Sequence, residues 1–398
     1  MLDTASQLEV LMRGVAELKT PEALRDKLDK RRPLRVKLGI DPTARDIHLG
    51  FAVVLRKLRE FQDLGHQAVL IIGDYTAMVG DPSGRSATRP VLSEAEVKAN
   101  AETYIRQMGK ILDLERVEVR SNGEWFSKLR FLDVIGLASK LTVARLLERD
   151  DFATRLKERS PLGLHELLYP LMQGYDSVMV EADVELGGTD QLFNVLVGRQ
   201  LQPQFGQEPQ VCLLTPLLAG TDGERKMSKS FGNTIGIAER PEDQYGKTMS
   251  IPDALMRDYF TLCTHVPLDE VARLLAGHPM DAKRRLAFEI VRLYHGEEAA
   301  HRASEHFQKT VVEKAAPDEM KTYAVPAAEV VDGKVWIVAL VSGAFGLSRS
   351  EARRLIQQGA VSLGGEAISD LDAKVEPRPG AILRAGKRSY ARLAPPPA

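Results

Sequence analysis

A strand, a helix and a second strand follow one another near the start of the chain, and this succession constrains the fold more than any other feature. Residues 34–40 (LRVKLGI) alternate like a strand, and residues 68–72 (AVLII) form the continuous apolar run of a strand buried on both faces. Between them, apolar residues recur at helical spacing from Phe51 to Phe61, and Gly65 marks the helix end. Such crossovers join parallel strands and are almost always right-handed, so the pattern predicts a doubly wound α/β core.

The rest of the chain divides into segments of different pattern. The α/β pattern ends in a polar, glycine-bearing loop at 219–235, after the apolar run 211–214. Residues 245–312 show helical patterns and no strand signal, and residues 313–330, rich in Ala, Pro, Asp, Glu and Lys, predict a linker. We expect a Rossmann-like parallel-sheet domain over 1–240, an all-helical domain over 241–325 and a small α+β module over 331–394.

Composition excludes several classes of protein. The 54 Lys+Arg against 55 Asp+Glu exclude a chain that is basic all over, so any nucleic-acid contact must use local patches. Cys212 and Cys263 suggest neither a disulfide framework nor a metal site, which favours a reducing compartment. No signal-peptide pattern and no apolar run near the ~18 residues of a membrane span is found. We expect a cytoplasmic chain with no membrane partner.

Residues 41–51 (DPTARDIHLGF) lie where the first predicted strand ends and its helix begins. Open α/β sheets bind ligands at this edge, and a helix N-terminus offers free N–H groups to a phosphate. His48 can donate a hydrogen bond to a phosphate oxygen, and Gly50, which lacks a Cβ, allows a nucleotide ring to approach. Taken alone, the two residues are better explained by an ordinary helix start and a packing accommodation.

Residues 226–230 (KMSKS) place two lysines three apart, with hydroxyl groups between and after them. Lys226, Lys229 and Ser230 suit a pyrophosphate whose negative charge builds as a bond breaks. The alternative is a solvated charged loop. Residues 41–51 lie at the start of the predicted α/β core, and residues 226–230 lie just beyond its end. The presence of both segments in one chain, in this order, favours a phosphate site that they share.

Three polar residues form a stripe on a predicted helix. Tyr169, Gln173 and Asp176 are spaced four and three apart, which at ~100° per residue places them within an arc of roughly 60°. A polar stripe backed by apolar residues suits a pocket wall, although an amphipathic surface helix has the same pattern. Pro170 is expected to kink or restart this helix.

The two phosphate segments together resemble the signature motifs of class I aminoacyl-tRNA synthetases, His-Ile-Gly-His and Lys-Met-Ser-Lys-Ser. The second motif is present letter for letter, whereas Phe51 replaces the last histidine of the first. The chain resembles in particular the bacterial tyrosyl-tRNA synthetases, over nearly its whole length. The blocks that carry this resemblance are 73–84 (GDYTAMVGDPSG), 169–176 (YPLMQGYD) and 187–191 (GGTDQ).

The resemblance implies a tyrosine–tRNA ligase. The tyrosine carboxylate attacks the α-phosphate of ATP to give tyrosyl-adenylate and pyrophosphate, and tyrosine then passes to the 3′-terminal ribose of its tRNA. Catalysis would consist of positioning and electrostatic stabilisation. Mg²⁺ would be carried on the phosphates, with no metal site in the protein. A homodimer is also implied, with the catalytic site in 1–240 and anticodon-arm contacts in 241–325.

The resemblance also implies a role for each candidate residue. Asp176 would accept the phenol hydroxyl of tyrosine. Many members place a tyrosine where this chain has Lys37, so either Lys37 turns away or Asp176 and water read the hydroxyl without it. The tyrosine ammonium group would be bound by Asp81, Tyr169 and Gln173, with Gln191 nearby. ATP would be bound by Gly39, Asp41, His48, Gly50, Asp190 (on the ribose) and Lys229. Catalytic stabilisation would come from Thr43, His48, Lys226, Lys229 and Ser230.

The C-terminal module resembles the small RNA-binding domain shared with a ribosomal protein and several RNA-modifying enzymes. It has ten Lys+Arg against six Asp+Glu over 331–398. Arg349 and Arg353 form a donor stripe on a helix that Ser348 caps, although a solvated helix face would look the same. The RNA-binding candidates are Arg349, Arg353, Lys387 and Arg388, and in the helical region Lys283, Arg284 and Arg285.

Two other functions compete with this hypothesis. A tryptophan-specific relative would share both signature motifs, but Gln173 and the block 187–191 weigh against it. A non-catalytic RNA-binding protein on a synthetase scaffold is supported only by the departures at Phe51 and Lys37. Both loop lysines and the Asp176 stripe are present, and a chain released from catalysis has no evident reason to keep them.

Overall fold

The computed structural model describes residues 2–42, 46–83, 93–312, 320–386 and 389–394. Thr43, Lys387 and Arg388, three of the candidate site residues, lie outside the described residues. The chain divides into two compact units, Met1–Ala303 and Ser304–Ala398.

Within the described residues, the sheet of the first unit has six strands: β1 (Glu17–Lys19), β2 (Arg35–Ile40), β3 (Gln67–Ile72), β4 (Val117–Ser121), β5 (Val184–Gly188) and β6 (Val211–Thr215). Their spatial order is β1-β6-β5-β2-β3-β4. Strands β2 to β6 pair in parallel, and β1 is antiparallel to β6 at one edge. From β2 the chain continues to β3 on one side and later to β5 on the other, so the order of strands reverses between β2 and β5. Ligands bind at such switch points.

Helices surround this sheet, because its inner strands are buried on both faces. The predicted crossover is confirmed, since α3 links the parallel strands β2 and β3. The helices up to residue 307 are α1 (Thr4–Met12), α2 (Pro21–Asp29), α3 (Leu49–Asp63), α4 (Asp74–Val79), α5 (Glu94–Met108), α6 (Gly123–Phe126), α7 (Phe131–Ala138), α8 (Val143–Leu146), α9 (Asp150–Lys157), α10 (Leu164–Met179), α11 (Leu192–Leu201), α12 (Pro241–Met249), α13 (Met256–Cys263), α14 (Leu268–Ala276), α15 (Pro279–His295) and α16 (Glu297–Phe307).

Helix α10 carries the predicted polar stripe and packs very closely on α11. A Cβ on Gly174 would lie 3.0 Å from the backbone nitrogen of Gly198 and 2.9 Å from a methyl group of Val197. The absence of a side chain at Gly174 therefore lets the two helices approach. The helix is continuous through Pro170, where a kink or restart was expected.

The helical segment after the sheet shares its hydrophobic core. Tyr259, Phe260 and Ile290 belong to the same buried cluster as Leu11 and Leu55. Arg13 adds hydrogen bonds to carbonyl groups at the end of α13. The expected helical character of this segment is confirmed, while the domain boundaries 1–240, 241–325 and 331–394 stay predictions.

Among its described residues, the second unit has strands β7 (Lys321–Ala324), β8 (Val330–Val331), β9 (Lys334–Trp336), β10 (Val361–Leu363), β11 (Glu366–Ile368), β12 (Lys374–Val375), β13 (Ile382–Ala385) and β14 (Ser389–Ala394), with helices α17 (Ile337–Phe345) and α18 (Arg349–Gln357). The strands form sheets in the orders β11-β10-β13-β14-β7 and β12-β9-β8. The linker prediction is wrong for β7, which pairs in parallel with β14. The polar composition of residues 313–330 predicted a linker, but Tyr323 packs against the hydrophobic core of this unit and Val325 is buried in it.

Candidate active site

A cavity of about 650 Å³ opens at the carboxyl ends of β2, β3, β5 and β6. Parallel strands present these ends on one edge of the sheet, so chain segments far apart in sequence meet there. Residues from the start of α3, from α10 and from the lysine loop, defined here as residues 226–230, complete the walls. The candidate residues that line the cavity are Gly39, Asp41, His48, Gly50, Asp81, Tyr169, Gln173, Asp176, Asp190, Gln191, Lys226 and Ser230.

His48 is the N-cap residue of α3. Its Nδ1 accepts a hydrogen bond of 3.3 Å from the backbone N–H of Phe51. Burial, together with the nearby Lys229 ammonium group, lowers the pKa of His48 to about 4. The neutral ring therefore carries its proton on Nε2, which is left as a hydrogen-bond donor.

The lysine loop docks on the start of α3 through Met227. This side chain is buried, and its Sδ accepts a hydrogen bond of 3.3 Å from the backbone N–H of Gly50. A Cβ on Gly50 would lie 3.2 Å from both the Met227 Cβ and the His48 ring. The absence of a side chain at Gly50 thus lets the loop dock here, while its role toward a nucleotide stays a prediction.

Both lysines of the loop are paired with carboxylates. The Lys226 Nζ lies 3.0 Å from Asp190, and the Lys229 Nζ lies 3.2 Å from Asp46. Each lysine side chain is more than a third exposed, so these ion pairs contribute little to stability. Their ammonium groups can exchange the carboxylates for phosphate oxygens at small cost.

Asp176 lies at the buried end of the cavity. One carboxylate oxygen accepts a hydrogen bond of 3.0 Å from the indole N–H of Trp125, and the other accepts one of 3.3 Å from the side chain of Asn122. Burial raises the pKa of Asp176 to about 7, although Lys37 and both hydrogen bonds oppose this shift. The carboxylate is therefore an acceptor that becomes protonated as the pH falls through about 7.

Tyr169 and Asp41 form a hydrogen-bonded pair in the cavity wall. The Tyr169 hydroxyl donates to Asp41 at 2.9 Å, and the Thr76 hydroxyl donates to the other Asp41 oxygen at 2.8 Å. Burial and the Asp41 charge raise the pKa of Tyr169 well above its usual value. The phenol remains a donor, and its oxygen keeps lone pairs for a bound ligand.

Gln191 links Asp81 to the end of β5. Its amide nitrogen donates to Asp81 at 3.0 Å, and its amide oxygen accepts from Asn194 at 2.9 Å. Asp81 and Gln191 therefore lie side by side, as the resemblance implied.

Phe51 and Lys37, the two residues that depart from the family pattern, each make defined contacts in the structure. The Phe51 ring packs against Tyr104 with centroids 6.2 Å apart, so an aromatic contact stands where the family has an imidazole. Lys37 is fully buried and donates to Gln173, Ser177 and Glu185. Of the two alternatives for Lys37, the structure therefore agrees with the first, in which it turns away.

Several side chains that pair with the candidate residues or with Lys37 were not predicted from the sequence, among them Asp46, Asn122, Trp125 and Glu185. None of these four carries a local signal that sets it apart. Each acts through a partner more than 35 positions distant, which spacing along one element does not reveal.

The second unit places Arg349 and Arg353 side by side on α18. Both are exposed, and their guanidinium carbons lie 5.9 and 5.6 Å from the ring centroid of Trp336. The predicted Ser348 cap is confirmed. In the first unit, Lys283 donates to the carbonyl of Ile251 and pairs with Asp253, so it is held within the helical segment.

Among the residues that the structure describes, no three or more His, Cys, Asp and Glu side chains are grouped so that they could hold a metal ion. Within the same residues, every helix is too short or too polar to span a bilayer.

Residues 29–312 match the family model "tRNA synthetases class I (W and Y)". The chain is 54% identical to the tyrosine–tRNA ligase of Moorella thermoacetica, with 98% of this chain and 96% of that protein covered. It is 52% identical to the tyrosine–tRNA ligase of Thermotoga maritima, with 97% of each chain covered. The chain belongs to the class I tyrosyl-tRNA synthetases. The predicted function is therefore confirmed: this synthetase is an enzyme, a tyrosine–tRNA ligase, and its family uses ATP.

Solved structures and a second family model agree with this membership. The tyrosyl-tRNA synthetase of Archaeoglobus fulgidus, solved with L-tyrosine, superposes with a TM-score of 0.63 at 25% identity, covering 76% of this chain and 100% of that one. Residues 336–380 match the S4 domain, so the predicted RNA-binding character of the C-terminal unit is confirmed. The predicted Rossmann-like fold class is confirmed as well.

The geometry at Asp176 predicts a pH effect. If Asp176 accepts the phenol hydroxyl of tyrosine, as the resemblance implies, it must be ionised to do so, and kcat/KM for tyrosine should decline as the pH falls through about 7, the pKa of Asp176. Trp125→Phe removes one N–H donor to the carboxylate, so the pKa of Asp176 should rise and the decline should begin at higher pH. Tyrosine-dependent pyrophosphate exchange between pH 5.5 and 9 measures both profiles.

Trp336→Phe is the matched control, because it changes the other tryptophan of the chain, which lies in the second unit. Its profile should coincide with that of the unsubstituted enzyme. A Trp125→Phe profile that stays in place, or moves to lower pH, would contradict the electrostatic role of the indole.

Proposed function

We propose that this chain attaches tyrosine to its tRNA in two steps at this cavity. A carboxylate oxygen of tyrosine forms a bond to the α-phosphorus of ATP as the bond to the β-phosphate breaks, and pyrophosphate leaves. A hydroxyl of the terminal ribose of tRNA then attacks the tyrosyl carbonyl carbon, and AMP leaves. The observation that carries the proposal is that one cavity has Asp176 at its buried end and His48 beside the lysine loop at the other.

Tyrosine would bind with its phenol at Asp176. The hydroxyl donates to the carboxylate, which Trp125 and Asn122 orient. Phenylalanine would leave this buried carboxylate without its ligand partner, which is costly in a site closed to water. Asp81, Tyr169 and Gln173 bind the ammonium group, with Gln191 holding Asp81 in place.

ATP would bind between the start of α3 and the lysine loop. The nucleoside lies at Gly39, Asp41 and Gly50, with its ribose on Asp190. The His48 Nε2 proton and the Lys226 and Lys229 ammonium groups face the phosphates, assisted by Ser230 and Thr43. Charge that develops on pyrophosphate is then met by donors already in position.

Mg²⁺ would reach the site on the phosphates of ATP and neutralise part of their charge. It prefers substrate oxygens and water to an all-protein cage. The acidic side chains at the phosphate end, Asp46 and Asp190, are each paired with a lysine, which fits an ion held mainly by substrate.

Lys229→Ala tests the phosphate contact. Adenylate formation should fall at least tenfold, a loss of ~1.4 kcal/mol or more of transition-state stabilisation, while tyrosine affinity changes little. Single-turnover adenylate formation and equilibrium tyrosine binding separate the two effects.

The control is Lys247→Ala, because Lys247 has similar exposure and pairs with Glu239 in the way that Lys229 pairs with Asp46. Its rate should stay within about twofold. An unaltered rate in Lys229→Ala would remove the loop from the mechanism. Exchange supported by tryptophan alone would favour the tryptophan-specific alternative, and tRNA binding without any adenylate would favour the non-catalytic one.

We propose that α18 of the C-terminal unit binds tRNA through Arg349 and Arg353.

Replacing both arginines by glutamine should weaken tRNA binding. The slope of log K for tRNA binding against log salt concentration should become less steep by roughly 0.7–0.9 for each lost phosphate contact. Adenylate formation should be unaffected. The control Lys321→Gln/Arg392→Gln removes the same charge from exposed positions on β7 and β14. Equal weakening by both pairs would indicate a general charge effect instead. The roles of Lys387 and Arg388 are proposed by the resemblance alone.

We propose a homodimer through the exposed apolar face of α7 and the start of α10. Phe131 and Leu132 are 79% and 75% exposed, and Leu164 is 76% exposed. Such side chains mark a surface that a partner covers, and a second copy is the partner the family resemblance implies.

We propose that the enzyme acts in the cytoplasm, where charging of tRNA supplies protein synthesis.

Sedimentation equilibrium tests the dimer. The unsubstituted chain should sediment at twice the monomer mass, and Phe131→Asp/Leu132→Asp should shift it to the monomer. Leu268→Asp, at an exposed apolar position on α14, is the control and should remain dimeric. A monomer in the unsubstituted protein would refute the assignment.

A further inference from the structure

Lys37 and Glu185 form an ion pair beneath the tyrosine end of the cavity. They are register partners on the adjacent strands β2 and β5, and neither side chain is exposed to solvent. The pair therefore lies at the switch point of the sheet, directly under the proposed site. Apolar residues of similar volume often give a fold as much stability as a buried ion pair, so stability alone does not account for these charges.

The three protons of the Lys37 ammonium group all have acceptors. Its Nζ lies 2.9 Å from Glu185 Oε1, 2.8 Å from Ser177 Oγ and 2.8 Å from the carbonyl oxygen of Gln173. An ammonium group has three donors and no acceptor. Lys37 thus has no donor left for the phenol of tyrosine and acts on the helix behind the pocket instead.

Glu185 holds the same helix from a second direction. Its Oε1 also accepts a hydrogen bond of 3.2 Å from the side-chain amide of Gln173, and its Oε2 accepts one of 2.9 Å from Ser177. Gln173 is therefore held at its main chain by Lys37 and at its side chain by Glu185. Such a double attachment restricts both the position and the rotamer of Gln173.

We propose that Lys37 and Glu185 are positioning residues for tyrosine, which fix Gln173 from behind so that its amide group meets the ammonium group of the substrate. This inference rests on the proposed function. It accounts for the lysine at a position where many relatives have tyrosine: the charge orders the pocket wall and makes no contact with the ligand.

The same pair also acts electrostatically on Asp176, three residues beyond Gln173. Lys37 lowers the pKa of Asp176 and Glu185 raises it, with Lys37 the larger influence. The other groups facing this carboxylate are Asn122 and Trp125, which donate to it, and the buried phenol of Tyr169.

The first experiment removes both charges together, so that no unpaired charge is left in the interior. Lys37→Met/Glu185→Leu should raise KM for tyrosine at least tenfold, while kcat and KM for ATP change less than about twofold. Glu185→Gln is the conservative variant, because an amide oxygen can still accept from Gln173 and Lys37. Its KM for tyrosine should remain within about threefold of the unsubstituted value. Tyrosine-dependent pyrophosphate exchange gives all these constants.

Arg155→Met/Glu166→Gln is the matched control. This second ion pair is also almost fully buried and also holds α10, but at the start of that helix, away from Gln173. It should lower the melting temperature and leave KM for tyrosine unchanged. If Lys37→Met/Glu185→Leu likewise lowers only the melting temperature and leaves KM for tyrosine unchanged, the pair is merely structural and the inference is overturned.

The second experiment uses the pH profile of kcat/KM for tyrosine. Lys37→Met should move the decline at acid pH to higher pH, and Glu185→Gln should move it to lower pH, because the two charges act on Asp176 in opposite directions. If Lys37→Met does not fold, Lys37→Met/Glu185→Gln replaces it, and the shift keeps its direction because Lys37 has the larger influence. Profiles that move together, or not at all, would overturn the electrostatic part of the inference.

The two levels of hypothesis can fail separately. If the unsubstituted enzyme shows no tyrosine-dependent exchange, the proposed function fails. If it shows exchange and the KM for tyrosine is insensitive to the loss of the pair, only the positioning role fails.

Discussion

Two backbone hydrogen bonds join segments almost 190 residues apart, and the phosphate end of the site depends on them. The N–H of Leu49 donates to the carbonyl of Ile235 at 2.8 Å, and the N–H of Ile237 donates to the carbonyl of Ile47 at 2.9 Å. All four side chains are at most 1% exposed. Because buried backbone groups need partners, this short pairing resists separation and fixes the lysine loop against the start of α3.

Hydrogen bonds to buried groups also determine the geometry at the end of the cavity where we propose that tyrosine binds. Asp176, Asp41 and Glu185 are carboxylates in a largely closed environment, and each accepts hydrogen bonds from at least two side chains. Their donors hold the carboxylates in one orientation before any ligand arrives. The chemistry we propose needs no enzyme nucleophile, so preorganised groups of this kind are the main contribution that the protein can make.

The pKa values of His48 and Asp176 are displaced by the same cause, burial, in opposite directions. His48 is neutral at physiological pH because its cationic form is disfavoured, and it keeps one ring proton to donate. The pKa of Asp176 is raised to about 7, so its ionised form is only moderately favoured at physiological pH. Under the proposed function, binding of the tyrosine phenol would therefore depend on pH in this range, whereas binding of phosphates by His48 would not.

Local patterns were sufficient wherever one element carried the whole signal. The stripe on α10 and the cap at Ser348 each follow from residues within one turn or one helix, and the crossover of β2, α3 and β3 follows from three consecutive elements with distinct periodicities. Strand β7 was missed because four residues with one packed aromatic side chain are too short for a pattern, and its register partners on β14 lie 70 residues further along the chain.

The sequence by itself determined the type of fold, the two phosphate segments and the polar stripe, because these are written in short-range order. Tertiary structure alone decided which carboxylate each lysine meets, that Trp125 and Asn122 hold Asp176, and that Lys37 faces Glu185 and does not line the cavity. Those contacts depend on strand order and helix packing, which bring together residues with no fixed separation along the chain.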